Sequence, residues 1–221
     1  MPHRATIEQF EQLSYNVRRY LLGRPEGYEF VAGQATEVAL DRDGWRDKKR
    51  PFTFAGLAEQ PQLEFIIKSY PDHGGVTEQI GQANVGDSLL LDDPWETLHL
   101  NGAGTFIAGG AGITPFLAVL RQWKKDKKLA GCRLIFSNST ARDVFLEDEL
   151  KEMDGLELIL TLTGEQVPGY VYGKIDRGFL QEHAGRFEGN FYLCGPVKMQ
   201  DELKHVLLAL GASGEKIFIA D

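Results

Sequence analysis

From about residue 103 onward, strand-like and helix-like segments take turns along the chain. Residues 105–108 read as a buried strand, 115–125 as a helix with Phe116, Val119, Leu120 and Trp123 on one face, and 133–136 as a strand. The series continues with a helix at 147–153, a strand at Leu156–Leu162, a short helix at 179–183 and a strand at 191–194. It ends with a helix at 198–210, closed by Gly211, and a last strand at 217–220. Parallel strands need crossover connections, and helices supply them. The second half is therefore expected to be a parallel sheet covered by helices.

The first hundred residues follow another period. Segments 6–10 and 17–21 read as strands and Arg24-Pro25-Glu26-Gly27 as a turn. Gln34–Leu40 alternates, with Ala35, Glu37 and Ala39 against Thr36, Val38 and Leu40. After the turn Asp41-Arg42-Asp43-Gly44 come strand-like runs at 51–54 and 63–68, then Val85-Gly86-Asp87 leading into Ser88–Leu91. Short strands at this spacing predict an antiparallel barrel or sandwich. The change of period places a boundary near residues 99–102.

Composition narrows the function classes. Among 221 residues, 43% hydrophobic and 25% charged is globular composition, which excludes a disordered or collagen-like chain. A net charge of −8 argues against a general nucleic-acid binder. The acidity is uneven, with 10 basic against 16 acidic residues up to residue 100 and 14 against 16 beyond it. The run Lys124-Lys125-Asp126-Lys127-Lys128 suits the end of a helix, where the dipole favours cations. Two cysteines, Cys132 and Cys194, make no disulfide framework and are too few for a four-ligand iron–sulfur site. The five histidines show no metal-ligand spacing, so no metal site is expected. The N-terminus lacks an apolar run, and the weakly polar stretch 102–120 is rich in Gly and holds Pro115. A cytoplasmic protein without membrane contact is the expectation.

Four segments carry chemistry. In Phe106-Ile107-Ala108-Gly109-Gly110-Ala111-Gly112-Ile113-Thr114-Pro115 a buried strand enters a glycine turn and then a helix with Pro115 in its first turn. Glycines let the backbone approach a ligand, and helix N-terminal N–H groups favour phosphate. A tight turn without ligand reads equally well, and the spacing is not G-x-G-x-x-G. Phe191-Tyr192-Leu193-Cys194-Gly195-Pro196 repeats the strand-to-turn pattern on the same rim, although Cys194 alone reads as a buried structural thiol. Lys49-Arg50-Pro51-Phe52-Thr53-Phe54 would present a cation, a ring and a hydroxyl on one side of a strand, or be an amphipathic edge strand. His73-Gly74-Gly75-Val76-Thr77 is a glycine turn opening a short helix that Thr77 could cap.

In this order the four segments resemble one family, the ferredoxin/flavodoxin–NADP reductase-type flavoproteins, over essentially the whole chain. Arg50-Pro51-Phe52-Thr53 matches the Arg-x-Tyr/Phe-Ser/Thr flavin motif and Gly74-Gly75-Val76-Thr77 the Gly-x-x-Ser/Thr motif. The segment 109–115 and Cys194-Gly195-Pro196 match the nicotinamide-domain motifs. The resemblance implies a FAD-binding antiparallel barrel at 1–100 and a NAD(P)-binding α/β domain at 101–221. It implies that Arg50 pairs with the FAD pyrophosphate, that Phe52 packs on the flavin, and that Thr53 hydrogen-bonds near flavin N5. Ile66, Ile67 and Lys68 would contact the FAD chain, partly by backbone, and the N–H groups of Gly75, Val76 and Thr77 would hold the pyrophosphate. Gly109, Gly110, Ala111, Gly112, Thr114 and Pro115 would bind the nicotinamide dinucleotide. Cys194 would lie near the reacting carbon, in a pocket shaped by Gly195, Pro196 and Met199.

The implied activity is hydride transfer from NAD(P)H to FAD, with electrons then passed to flavodoxin, ferredoxin or another separate acceptor by a monomeric protein. Two alternatives stay open: a flavin or ferric reductase with a diffusible acceptor, and a non-catalytic nucleotide-binding subunit. A basic patch around Arg46, Lys48, Lys49 or around Arg18, Arg19 would have to attract an acidic flavodoxin. Arg142 would favour NADP through a 2′-phosphate and Asp143 would favour NAD through a 2′-hydroxyl, unless the segment is a capped loop. The chain ends Phe218-Ile219-Ala220-Asp221 without the terminal aromatic of plant-type relatives, which would leave the flavin face more open. Trp95 reads as a packed residue at the domain junction, and His73 as a surface residue beside the flavin glycine turn.

Overall fold

The computed structural model describes residues 2–70 and 73–220, so Asp221 lies outside it. The first half is one antiparallel sheet. Its strands are β1 (His3–Ser14), β2 (Val17–Gly23), β3 (Gln34–Leu40), β4 (Arg50–Thr53), β5 (Gln62–Lys68), β6 (Ser88–Leu91) and β7 (Trp95–Glu96). They run in the order β4-β3-β6-β1-β2-β5, with β7 beside β3. The two end strands, β4 and β5, approach each other, so the sheet is a nearly closed barrel rather than a sandwich. Helix α1 (Val76–Gly81) lies against β3 and β5 and buries Val76 and Ile80 in the barrel core with Tyr20, Phe54 and Phe65.

The alternation in β3 reads differently once folded. Both of its sides are buried, Ala35 and Ala39 as well as Thr36, Val38 and Leu40. Thr36 is tolerated there because its hydroxyl donates to the Asp92 carbonyl at 2.7 Å, which satisfies the one polar atom that burial would otherwise strand.

The second half is a parallel sheet of β8 (Gly104–Gly109), β9 (Cys132–Asn138), β10 (Leu156–Leu162), β11 (Val171–Tyr172), β12 (Asn190–Cys194) and β13 (Ile217–Ile219). The order is β11-β10-β9-β8-β12-β13. Helices α2 (Thr114–Lys125) and α3 (Glu147–Lys151) pack on one face, and α4 (Arg177–His183) and α5 (Val197–Ala209) on the other. Alternate residues of β8 serve the two faces, Phe106 and Ala108 one, Ile107 the other. The short strands β7 and β11 escaped the sequence reading because two residues carry no period.

The two halves do not have separate cores. The cluster around α2 also takes in Val17, Ala55, Ile66 and Leu98 from the barrel side. The parallel order turns back at β8, which stands between β9 and β12. Such a switch point opens a crevice beyond the C-terminal ends of the strands, where ligands of open α/β sheets bind.

Candidate functional site

That crevice is a cavity of about 850 Å³. It is lined at the strand ends by Gly109 at the end of β8, Asn138 at the end of β9, Thr163 after β10 and Cys194 at the end of β12. The glycine turn contributes Gly109, Gly110, Ala111 and Gly112, and the second turn contributes Gly195, Pro196 and Met199. The two turns predicted from sequence thus share one cavity. Gly112 is required by close approach: a Cβ there would collide with the Cys194 backbone and stand 2.7 Å from the Gly195 N. Gly110 is required by conformation, at φ +54° with open space above it. Pro115 is buried in the first turn of α2, and Thr114 donates its hydroxyl to the Ala111 carbonyl at 3.0 Å. These two brace the turn and are not part of the cavity wall.

Burial pushes the Cys194 thiol up to about 12, against the opposing hydrogen bond from the Gly195 backbone. It therefore stays protonated at neutral pH and can act through shape and polarisability, not as a thiolate.

Strand ends beyond the predicted motifs add Ser137, Ser139 and Lys174, the first turn of α5 adds Lys198, and β5 of the barrel adds Lys68, with Tyr70 just after it. The signal that could have found Thr163 and Lys174 is positional, since both follow C-terminal ends of parallel strands. Asp143 also lines the cavity, but its oxygens are taken. Oδ2 accepts from the Thr140 N at 3.0 Å and the Thr140 hydroxyl at 2.8 Å, and Oδ1 accepts from the Tyr15 hydroxyl at 2.8 Å. Burial works to raise its carboxyl, yet the Thr140 and Tyr15 hydrogen bonds hold it below the ordinary range. Arg142 is exposed, stands over the Tyr15 ring at 5.0 Å and does not line the cavity. The segment is a capped turn in which Asp143 is spent on the cap, whereas Arg142 stays exposed outside the cavity wall.

On the barrel, a second cleft of about 690 Å³ brings Arg50 together with Gly74, Gly75 and Val76, with Lys48, Lys49, Glu37 and Trp45 around them. A cation and a glycine turn from distant parts of the sequence therefore meet. Thr77 does not line this cleft, and it does not cap α1: Gly75 is the N-cap, so Thr77 falls inside the first turn.

The expectation that Arg50, Phe52 and Thr53 face one side is not met. All three lie in paired β4, opposite Val38, Thr36 and Ala35. Side chains alternate along a strand, so Arg50 and Phe52 share one side while Pro51 and Thr53 take the other. Phe52 packs against the barrel core. Ile66 and Ile67 are likewise spent on packing, one in each core, and leave their backbone on the edge of β5 that no strand covers.

Other expectations meet mixed outcomes, and the reading of His73 as a surface residue holds. Trp95 is 36% exposed rather than packed, because β7 is a two-residue strand beside β3. The basic patches are partly neutralised at home: Arg46 pairs with Asp41 and Asp43, Lys49 with Asp92, and Arg19 with Glu11 and Glu64, while Lys48 stands over the Trp45 ring. Arg18 bonds Gln12 and stands over Phe10. Phe218 lies inside β13, stacked on Tyr192 at 5.3 Å. His73 meets Tyr70 edge-on and is absent from the cleft wall. Among the described residues no cluster with metal-ligand geometry occurs, and no helix is long and apolar enough to cross a membrane.

Comparison with known proteins follows the same outline. Residues 106–205 match the oxidoreductase NAD-binding domain family. The reductase component of propane 2-monooxygenase from Rhodococcus jostii (strain RHA1) is 29% identical over 211 residues, covering 88% of this chain and 56% of that protein. The chain thus spans little more than half the length of curated relatives such as this one. The flavohem-like FAD/NAD-binding domain of nitric oxide dioxygenase from Vibrio cholerae O1 biovar El Tor superposes with a TM-score of 0.87 at 20% identity, covering 98% of this chain and 97% of that one. A ferredoxin NADP+ reductase from Neisseria gonorrhoeae with bound FAD and NADP gives 0.85 at 21% identity, over 98% and 96%. With the barrel, the parallel sheet and the glycine rim all in place, this chain has the two-part fold of these FAD- and NAD(P)-binding proteins and carries an oxidoreductase NAD-binding segment at residues 106–205.

Proposed function

We propose that the chain is an NAD(P)H-dependent flavoprotein reductase that holds FAD on the barrel, takes NAD(P)H at the rim of the parallel sheet and supplies electrons to a separate acceptor protein. One observation carries this reading. A glycine-turn cleft bearing Arg50 and Lys48 on the barrel and a glycine-lined cavity at the sheet's switch point occur in one molecule, and β5 of the barrel reaches the second through Lys68. The donor set of the first cleft fits a pyrophosphate: Arg50 and Lys48 stand beside a glycine turn with open space above Gly74 and Gly75, while Lys49 is held by Asp92, and Glu37 and Asp47 complete the lining. The second fits a dinucleotide, with room for its phosphates over Gly110.

In this reading Arg50 and the turn at Gly74, Gly75 and Val76 hold the FAD pyrophosphate, with Thr77 bracing the turn from within α1. The free edge of β5 at Ile66, Ile67 and Lys68 offers backbone groups along the cofactor. Thr53, with Pro51 on its side of β4, presents a hydroxyl away from the barrel core, and Phe52 supports the strand from inside. Bound FAD would supply the redox chemistry, accepting a hydride and releasing electrons singly. The protein's part is to orient. Gly112 lets the two turns close on each other, and Met199 lies against Gly109 and Gly195. The protonated Cys194 then fills the floor of the pocket without charge. Residues 1–100 and 101–221 serve as the FAD and NAD(P) domains.

For the acceptor we favour a protein, in line with the relatives named as reductase components. With Arg46, Lys49 and Arg19 already ion-paired, the basic patches offer only a weakened charge attraction to an acidic flavodoxin. The test is an anaerobic absorbance spectrum of FAD-reconstituted protein before and after NADH or NADPH. Bleaching of the flavin band is expected, and the faster nucleotide identifies the coenzyme. A protein that holds FAD and stays yellow with both would overturn the reading.

A further inference from the structure

Arg121 belongs to none of the motifs. It lies two turns into α2, and its side chain is 13% exposed. Nε donates to Glu149 Oε1 at 2.5 Å and Nη2 to Glu149 Oε2 at 2.8 Å, a two-pronged grip on α3. Nη1 donates to Glu64 Oε1 at 2.9 Å and to the Ala55 carbonyl at 2.6 Å. Glu64 is on β5, and Ala55 stands two residues past the end of β4. One guanidinium thus joins the parallel-sheet half to both end strands of the barrel, at the seam where the barrel fails to close.

We propose that Arg121 is a positioning residue for the reaction. By bridging Glu149 to Glu64 and the Ala55 carbonyl, it fixes the coenzyme turn at the start of α2 relative to the flavin-motif strand β4 and to β5. The inference rests on the reductase reading above. The linkage is stiff at both ends. Seven residues of continuous helix separate Arg121 from Thr114, about 10 Å of rigid rod. Two residues separate Ala55 from Thr53, about 7 Å of extended chain. No long loop lies in between to absorb a shift.

Charge makes the arrangement hard to relax. Arg19 adds a second cation, 3.2 Å from Glu64 and 3.5 Å from Glu149. Two cations and two carboxylates then balance, although Arg19 also serves Glu11 at 2.9 Å. Without Arg121, two half-buried or buried carboxylates keep only the already divided Arg19 and the charge of Lys124 near Glu149, neither of which bridges them through the Ala55 carbonyl, and their repulsion pushes β5 and α3 apart. Reacting atoms displaced by about 1 Å can lose about 100-fold in rate. Lysine keeps the charge but cannot form the fork.

The test compares wild type, Arg121→Gln and Arg121→Lys, each loaded with FAD. Flavin reduction by NAD(P)H is followed by anaerobic rapid mixing, and amide hydrogen exchange is followed on the FAD-free proteins. For Arg121→Gln we expect the rate per bound flavin at saturating coenzyme to fall about tenfold or more, while half-saturation moves by less than about threefold. Arg121→Lys should recover part of the rate. Peptides from α2, α3 and β5 should exchange faster, with β8 and β9 unchanged. An unchanged rate per bound flavin, a loss confined to half-saturation or FAD content, or unaltered exchange at the seam would overturn the proposal. Should Arg121→Gln fail to fold, Arg121→Lys and Glu149→Gln carry the same comparison. A wild type that does not bleach would instead remove the reductase reading, and the exchange data would still decide whether Arg121 bridges the halves.

Discussion

At Cys194 the folded environment changes the meaning of the residue. From sequence it reads either as a structural thiol or as a residue near the reacting carbon; the structure puts it on the cavity wall, where burial pushes the thiol up to about 12 and keeps it protonated. Cys194→Ala should therefore slow flavin reduction by NAD(P)H more than it weakens FAD binding, and the wild-type thiol should resist alkylation at neutral pH. Stopped-flow reduction and a thiol-labelling time course check both, and equal reduction rates would make Cys194 a packing residue. Arg50 is argued from charge: removing a cation from a pyrophosphate loses about 1.5–3 kcal/mol, so Arg50→Ala should raise the FAD dissociation constant by about tenfold to a hundredfold. Flavin fluorescence titration measures it, and unchanged affinity counts against the cleft. Gly112→Ala is argued from space. Its methyl has no room against the Cys194 backbone, so the two turns must separate. Coenzyme half-saturation should rise sharply, and a kinetic titration showing no change would contradict the shared cavity.

Elements are where polar side chains decide local structure. The turn after β9 exists because Thr140 and Asp143 cap one another, and Tyr15 from the tip of the β1–β2 hairpin bonds the same carboxylate. On α3, burial works to raise Glu149, but the Arg121 hydrogen bonds and charge hold it below the ordinary carboxylate range. Asp143 and Glu149 are thus both depressed in the folded state. Groups of this sign stabilise the fold above the unfolded carboxylate pKa, about 4, and lose that contribution as pH falls through the lower folded value. Melting temperature should stay flat from neutral pH to about 5 and drop below about 4. Thermal scans of Asp143→Asn and Glu149→Gln should show a lower plateau and a shallower acid limb. An acid limb as steep as wild type in both would remove these two carboxylates as its cause.

For the whole molecule, the shared core is the governing fact. Val17, Ala55, Ile66 and Leu98 pack in one cluster with Phe106, Phe116 and Leu120, so the two halves bury apolar surface in each other. Calorimetry should show a single unfolding transition, and fragments 1–100 and 101–221 made separately should be much less stable than their half of the intact chain. Two independent transitions would show that the boundary near residue 100 separates self-sufficient domains. FAD should raise the midpoint, by about 2.7 kcal/mol of added stability at 100 times its dissociation constant.

Local pattern sufficed wherever one segment's own residues decide its state. The 3.6-residue and two-residue periods located the helices and strands, because burying one face is a property of the segment itself. The glycine turns were legible because strand, glycine and Pro115 are consecutive, and no other residue types allow such a path. Contacts between distant segments were not legible. Asp143 looked like a coenzyme reader until Tyr15, 128 residues away, took one of its oxygens. The basic patches looked free until Asp41, Asp92 and Glu64 met them across strands. Arg121 carried no motif, because its importance lies in bridging Glu64 and Glu149, 57 residues before it and 28 after it. Periodicity is written along the chain, but a charge is spent wherever topology brings its partner, and only the packed sheets settle that.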